Sequence, residues 1–134
     1  MLLAQVMLSQ LMQIKELSGA FSGISHRDCD LLEVKGPLAE LELKYEIESD
    51  GSQWKIRFGD TYACRIVSEE LVNNHLLSIT TKSCSFYEID SSQWINEFEK
   101  NSGRDMAKAQ HFVLFFYDEI IEIIADTLIP EQQK

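Results

Sequence analysis

Four carboxylates near the carboxyl end of the chain are spaced closely enough to support chemistry: Asp118, Glu119, Glu122 and Asp126. Neighbouring acidic groups perturb one another's pKa values, and carboxylate oxygens are preferred ligands of Mg²⁺. The four could therefore hold a metal ion or act as an acid and base pair. The sequence has no Gly-rich loop to hold a phosphate beside them. We therefore expect these carboxylates at turn or solvent-facing positions, where they offer an acidic surface to a cationic partner.

The histidines and cysteines show no spacing typical of a metal or catalytic site. The three histidines are far apart, and the three cysteines are too scattered for a zinc site or a disulfide framework. A nucleophilic site would require the fold to bring Cys64 or Cys84 beside His111, which the sequence leaves open. The simpler interpretation makes both cysteines core residues and His111 a hydrogen-bonded residue at a strand boundary. We expect no catalytic, cofactor-binding or metal-binding residue.

Composition limits the partners that the chain can have. Its 134 residues, of which 45% are hydrophobic and 25% charged, predict one soluble domain over residues 1–134. A net charge of −10 repels nucleic acid and anionic lipid and favours a basic protein partner. The amino-terminal apolar run has no positive residue before Lys15 and is interrupted by polar residues, so we expect neither a signal peptide nor a membrane span. A cytoplasmic protein with reduced thiols is expected.

The amino-terminal half predicts one helix followed by strands. Apolar residues at helical spacing predict an amphipathic helix from Leu3 to Leu17. Residues 31–34 predict a short edge strand before the Gly-Pro turn at 36–37. Strict alternation over residues 39–48, turn residues at 49–52 and renewed alternation over 54–58 predict a hairpin, and Gly59-Asp60 predicts a turn into a third strand over 62–67. Further strands are predicted at 76–80 and 83–89.

The carboxyl-terminal part predicts a helix and a final hairpin. Asp90 precedes Gln93 at capping-box spacing, which indicates a helix from about Ser91 to Lys100. The run from His111 to Ile129 is rich in aromatic and β-branched residues and favours two strands, although a helix over 118–128 also fits the spacing. The fold class expected is α+β: an amino-terminal helix, an antiparallel sheet or meander of about five to seven strands, a short second helix and a terminal hairpin.

A partner-binding surface is predicted from the exposed acids of the alternating strand and of the terminal segment. The strand contributes acids to its outer face, where they can also pair with Lys55 and Arg57 of the next strand. The terminal segment adds carboxylates around a tyrosine that could anchor a partner. The residues expected to bind the partner are Glu42, Glu46, Glu48, Tyr117, Asp118, Glu119, Glu122 and Asp126.

Four segments of the chain resemble small bacterial proteins encoded beside polymorphic or contact-dependent toxins, which are regarded as immunity proteins. The segments are WKIRF (54–58), ACRIVSEE (63–70), SSQWINEF (91–98) and HFVLFFYDEIIEIIAD (111–126). The resemblance implies an α+β inhibitor without catalysis that binds and neutralises a cognate toxin domain. A nuclease toxin must be basic to hold nucleic acid, so an acidic inhibitor could be steered onto it.

Two other functions stay open at this stage. A secretion chaperone would also be small and acidic, and methionines in the predicted amino-terminal helix could supply an adaptable groove or dimer face for an effector segment. A small enzyme would use the acids from Asp118 to Asp126. We expect either a monomer or a homodimer.

Overall fold

The chain forms one antiparallel sheet with a helix against it. The structure, a computed structural model, describes residues 14–17, 24–68 and 85–133. Its strands are β1 (Ile14–Glu16), β2 (Cys29–Lys35), β3 (Glu42–Ile47), β4 (Ser52–Ser68), β5 (Phe86–Ile89), β6 (Gln110–Phe115) and β7 (Glu119–Gln133). Their order across the sheet is β1-β5-β6-β7-β4-β3-β2. Helix α1 (Gln93–Ser102) joins β5 to β6, and two 3₁₀ turns cover His26–Asp28 and Leu38–Glu40.

The expected α+β fold with an amino-terminal helix is wrong. The sheet dominates, and in the described residues the one α-helix lies between β5 and β6. Residues 14–16, predicted as helix, form β1 and pair with β5. The Lys15 Nζ atom lies 2.9 Å from a Glu88 carboxylate oxygen and 3.4 Å from one of Asp90, so the pairing also matches charges. Leu17, the last residue of the predicted helix, donates its N–H to Phe86 O at 3.0 Å and is not helical. Residues 3–13 of that helix, and the strand predicted at 76–80, lie outside the described residues.

The turn predicted at Gly59-Asp60 is also wrong, because β4 runs through it as one strand of 17 residues. The pairing with β7 shifts register between Thr61 and Ala63, so Tyr62 is the extra residue of a β-bulge. Asp60 has φ 48°, a left-handed value that bends the strand, and a Cβ at Gly59 would come 2.5 Å from Thr127 Oγ1. Gly-Asp thus marks a bend here, and the predicted three-stranded meander becomes a hairpin of β3 and the longer β4.

The carboxyl-terminal hairpin is present, and the 118–128 segment is strand. β7 pairs with β4 along its length and with β6 over residues 120–125, so the backbone groups of these six residues are paired on both sides. Alternate residues of β6 enter two cores: Phe112 and Leu114 point to one face, Val113 and Phe115 to the other. Burial on both faces explains why the segment is almost continuously apolar.

The sheet curls around the larger core. Tyr45 of β3 and Phe86 of β5 belong to strands separated by three others, yet their ring centroids are 5.4 Å apart. Phe116 packs against both rings at 5.7 and 5.5 Å. We call the side that faces this core the concave face. A sheet must be strongly twisted to bring such distant strands together.

Helix α1 covers the opposite, convex face. The ring of Trp94 lies 5.4 Å from that of His111 on β6 and 5.6 Å from Phe98, one helical turn further along. The helix begins after Ser92, whose Oγ accepts a hydrogen bond from the Ile95 N–H at 3.3 Å, so Ser92 and not Asp90 is the N-cap. It ends at Gly103, whose φ of 69° is the left-handed conformation usual for this position.

Candidate functional site

A chain of hydrogen-bonded polar groups, buried at Ser92 and His111 and half exposed at Arg65, lies between α1 and the convex face. Ser92 Oγ is 2.7 Å from His111 Nδ1, and His111 Nε2 is 3.0 Å from Glu122 Oε1. The other carboxylate oxygen of Glu122 accepts hydrogen bonds from the Arg65 guanidinium, with 2.8 Å to Nε. The guanidinium also stands 4.5 Å above the Trp94 ring. The four side chains come from the helix cap, β6, β7 and β4.

One arrangement of hydrogens satisfies the whole chain with a neutral imidazole. The Ser92 hydroxyl donates to His111 Nδ1 while its oxygen accepts from the Ile95 N–H. His111 Nε2–H then donates to the Glu122 carboxylate. Glu122 remains ionised and receives the Arg65 guanidinium on its second oxygen. Every buried group thereby has a partner, as a buried polar network requires.

Two opposing effects act on Glu122. Burial on its own would raise the pKa of this carboxyl, but the hydrogen bond from His111 and the charge and hydrogen bonds of Arg65 outweigh it and lower the pKa. The carboxylate is therefore held in its charged form. Removing either partner would leave that charge poorly compensated under the helix.

The arrangement contains the residue types of a serine hydrolase triad but differs from one in geometry. Ser92 is 4% and His111 2% exposed, so neither reaches a substrate from outside. The serine faces Nδ1 and the acid faces Nε2, whereas a triad uses Nε2 for the serine and Nδ1 for the acid. The serine oxygen also caps α1. These contacts fasten α1 to the sheet.

A second concentration of carboxylates lies at one end of the sheet, and backbone contacts hold it together. The Tyr117 N–H, in the β6–β7 turn, donates to Cys29 O at 2.8 Å, and the Glu48 N–H donates to Asp28 O at 2.9 Å. Asp28 also accepts from the Ser49 N–H at 2.9 Å. We call this region the acidic end, comprising Asp28, Asp30, Glu46, Glu48, Asp118 and Glu119 around Tyr117, which is 46% exposed. Arg27 stands beside it as a basic residue.

Like charges face one another at the acidic end. Asp30 of β2 lies directly opposite Glu46 of β3, an arrangement that is unfavourable in an antiparallel pair. Partial burial raises the pKa of Glu119, and the charges of Asp118 and Asp30 raise it further. This end therefore concentrates negative charge, and some of its acids face one another.

The outer face of β2, β3 and β4 differs, because its charges are paired. Lys44 lies 3.6 Å from Glu33, Lys55 lies 4.0 Å from Glu42, and Arg57 lies 3.4 Å from Glu131. Glu42, predicted to bind the partner, therefore belongs to a ladder of exposed ion pairs. Such pairs contribute little to stability and leave little net charge.

The structure brings five of the predicted partner-binding residues to one region and separates the other three. Glu46, Glu48, Tyr117, Asp118 and Glu119 lie at the acidic end. Glu122 is enclosed under α1. Asp126 lies beside the β4 bulge, where its hydrogen bond to Tyr62 raises the pKa of that phenol. The carboxylates from 118 to 126 thus point to three different environments, and no group of three or more His, Cys, Asp or Glu in the described ranges could hold a metal ion.

The possible cysteine nucleophile does not meet its base within the described residues. Cys64 of β4 packs against the concave core, where burial raises the pKa of its thiol. His111 lies on the convex face under Trp94. The sheet separates the two side chains, and Cys84 lies outside the described residues. His111 is hydrogen-bonded near the start of β6, as predicted, and its side chain is buried.

Sequence reasoning missed Arg65, Ser92 and Trp94 in the buried network and Asp28 and Asp30 at the acidic end. The Ser92 position carried a usable signal, because a serine three residues before Ile95 at a helix start is a cap. Asp30 and Arg65 carried none, since their partners depend on strand register.

No protein-family model, no curated protein and no solved structure matches this chain. The resemblance to toxin-associated immunity proteins therefore stays a prediction. No helix among the described residues is both long and apolar enough to cross a membrane.

Proposed function

We propose that this chain is a non-catalytic binding protein whose acidic end binds a basic protein partner, in the manner of an immunity protein that neutralises a basic, nuclease-type toxin domain. The observation that carries the proposal is an exposed tyrosine with several carboxylates around it. Tyr117 projects from the β6–β7 turn beside Asp118 and Glu119. An aromatic anchor with charged neighbours is the usual composition of an energetically dominant contact.

Crowding of the carboxylates supports a cationic partner. The pKa of Glu119 is raised because partial burial and the neighbouring acids disfavour its charged form. A lysine or arginine placed among these acids would relieve that repulsion, so binding gains from charge that is unfavourable in the free protein. The net charge of −10 would further speed encounter with a basic domain.

The buried network supports a structural rather than a catalytic role for the serine and histidine. Their side chains are sealed under α1 and their hydrogens are already committed to protein partners. The acids proposed for a small enzyme do not converge. The chaperone alternative rested on the predicted helix at residues 3–17, most of which falls outside the described residues, so it gains no support here.

Calorimetry with basic, nuclease-type toxin domains, including any that neighbouring genes encode, tests the proposal. We expect Tyr117→Ala to weaken binding by about tenfold or more, as for an interface anchor. Asp118→Asn combined with Glu119→Gln should slow association and reduce its salt dependence. Tyr62→Ala, an exposed tyrosine on the β4 bulge, and Glu33→Gln, in the paired ladder, serve as matched controls that bind normally. The proposal is wrong if no complex forms, or if the controls weaken binding as much as the Tyr117 variant.

A further inference from the structure

Strand β2 is an exposed edge with apolar side chains. In the described part of the chain the sheet order ends at β2. Leu32 is 48% and Val34 39% exposed, and Leu38, after the following turn, is 44% exposed. An edge of this kind presents unpaired backbone groups and tends to add a strand from another chain. At its start, Cys29 O is already bonded to the Tyr117 N–H, so the open part runs over residues 30–35.

The backbone of β2 is arranged to accept another strand. In an antiparallel sheet, the backbone groups of every second residue bond to the strand on one side. The carbonyl of Cys29 bonds to the Tyr117 N–H, so the backbone groups of Cys29 point away from β3. Leu31 therefore also points outward. The register shift between Leu31 and Glu33 moves the alternation by one residue, so Val34 points outward as well. Leu31 and Val34 can then form a doubly hydrogen-bonded pair with the same two residues of an identical strand.

The charges of β2 complement themselves in that register. When Leu31 lies opposite Val34 of a second copy, Asp30 lies opposite Lys35 and Leu32 lies opposite Glu33. Asp30 and Lys35 occupy the same, outer face of the strand, since both pair with acids of β3 there. Twofold symmetry repeats each contact, so one register gives two opposite-charge pairs and two apolar pairs. The exposed Leu32 lies near the twofold axis.

We propose that two copies of this chain pair through antiparallel β2 strands, with Asp30 of each copy opposite Lys35 of the other. The dimer continues the sheet from one copy into the next. Asp30 then has a cation beside it, which offsets the like-charge opposition with Glu46 within each copy. Because the pairing starts after Cys29, Tyr117 and the carboxylates of the β6–β7 turn remain outside the paired strands.

Sedimentation velocity over a series of concentrations tests this proposal with no other protein present. The wild-type chain should shift from monomer to dimer as its concentration rises. Asp30→Lys and Lys35→Glu should each weaken the dimer by about tenfold, because symmetry turns both charge pairs into like-charge pairs. An equimolar mixture of the two variants should form a heterodimer of near wild-type affinity, since each lysine again meets an acid. Glu97→Lys and Lys100→Glu, exposed on α1, are matched charge controls that leave dimerisation unchanged.

Two results would overturn the proposal. A wild-type chain that stays monomeric throughout the series would show that a second copy does not occupy this edge. A dimer that persists in both single variants, or a mixture that fails to restore association, would place the interface elsewhere or in another register. Thermal unfolding checks that each variant is folded. Val34→Lys, which removes an apolar pair from the edge, is an independent variant that should also weaken the dimer.

Discussion

Glu122 and Glu119 stand three residues apart on the same strand, and their environments are opposite. Arg65 and His111 compensate Glu122 and hold its pKa low, against the effect of burial. Glu119 has partial burial and two neighbouring acids, all of which raise its pKa. The first carboxylate is used within the protein, to connect α1 to the sheet. The second belongs to the acidic end, the surface that we propose binds a partner.

Cross-strand neighbours explain this difference better than the local sequence does. Glu122 lies opposite Arg65 of β4, whereas Glu119 lies opposite Ser68, near the end of the pairing. The segment DEIIE alone gives no reason to separate the two glutamates. Glu122 is structural because strand register supplies it with a cation and a hydrogen-bond donor, whereas register places only Ser68 opposite Glu119.

Among the substitutions that test this comparison, neutralising Glu122 should change the free energy of unfolding most. Glu122→Gln keeps the shape but removes the charge that Arg65 and His111 share, so we expect the free energy of unfolding to fall by about 1–3 kcal/mol. Urea denaturation at neutral pH measures the change. Glu131→Gln is the matched control, because Glu131 pairs with Arg57 at 3.4 Å on the exposed face and its loss should cost less than about 0.5 kcal/mol. Equal losses in both variants would show that the buried network is no stronger than a surface ion pair.

Removing the Ser92 hydroxyl should have the next largest effect. Ser92→Ala deletes both the cap of α1 and the donor to His111 Nδ1, and we expect a loss of about 1–2 kcal/mol in the free energy of unfolding. Ser102→Ala, which alters an exposed hydroxyl at the other end of α1, should change stability by less than about 0.5 kcal/mol. The same urea titration compares them, and a Ser92→Ala loss no greater than that of the control would contradict the proposed fastening of the helix.

Prediction from the sequence succeeded for strands in which apolar and polar residues alternate strictly. It failed where the same residues are compatible with two different structures. The β3–β4 hairpin followed from alternating apolar and charged residues, because that pattern places one face in the core. Gly59-Asp60 suits a turn as well as a bulge, and only the pairing of β4 with β7 decides between them. The apolar spacing of residues 14–16 also fits a helix, and only their pairing with β5 decides that they form a strand.

The candidate site was predictable only in part, for a related reason. Tyr117, Asp118 and Glu119 are adjacent in the sequence, so their proximity at the β6–β7 turn could be expected from the sequence alone. The buried network joins residues 11, 19 and 57 positions apart. Such contacts depend on strand order and register, and local sequence patterns do not determine the order of strands in a sheet.

Neutralising Glu119 should have the smallest effect and the opposite sign. Folding raises the pKa of the Glu119 carboxyl. This carboxyl therefore adds to the free energy of unfolding below its unfolded pKa, and that contribution is lost as pH rises through its folded pKa. Glu119→Gln should therefore stabilise the protein at pH 7, by only a few tenths of a kcal/mol because solvent screens the exposed charges. The gain should vanish below about pH 4, where the wild-type carboxyl is protonated.

The stability that Glu122 contributes depends on pH in the opposite way. Because its pKa is lowered in the folded protein, its contribution to the free energy of unfolding is present above the unfolded pKa and is lost as pH falls through the folded pKa. Urea titrations of both variants from pH 3 to pH 7 should give differences from wild type of opposite sign at neutral pH that converge towards zero in acid. Differences of the same sign would show that the two glutamates do not have opposite roles.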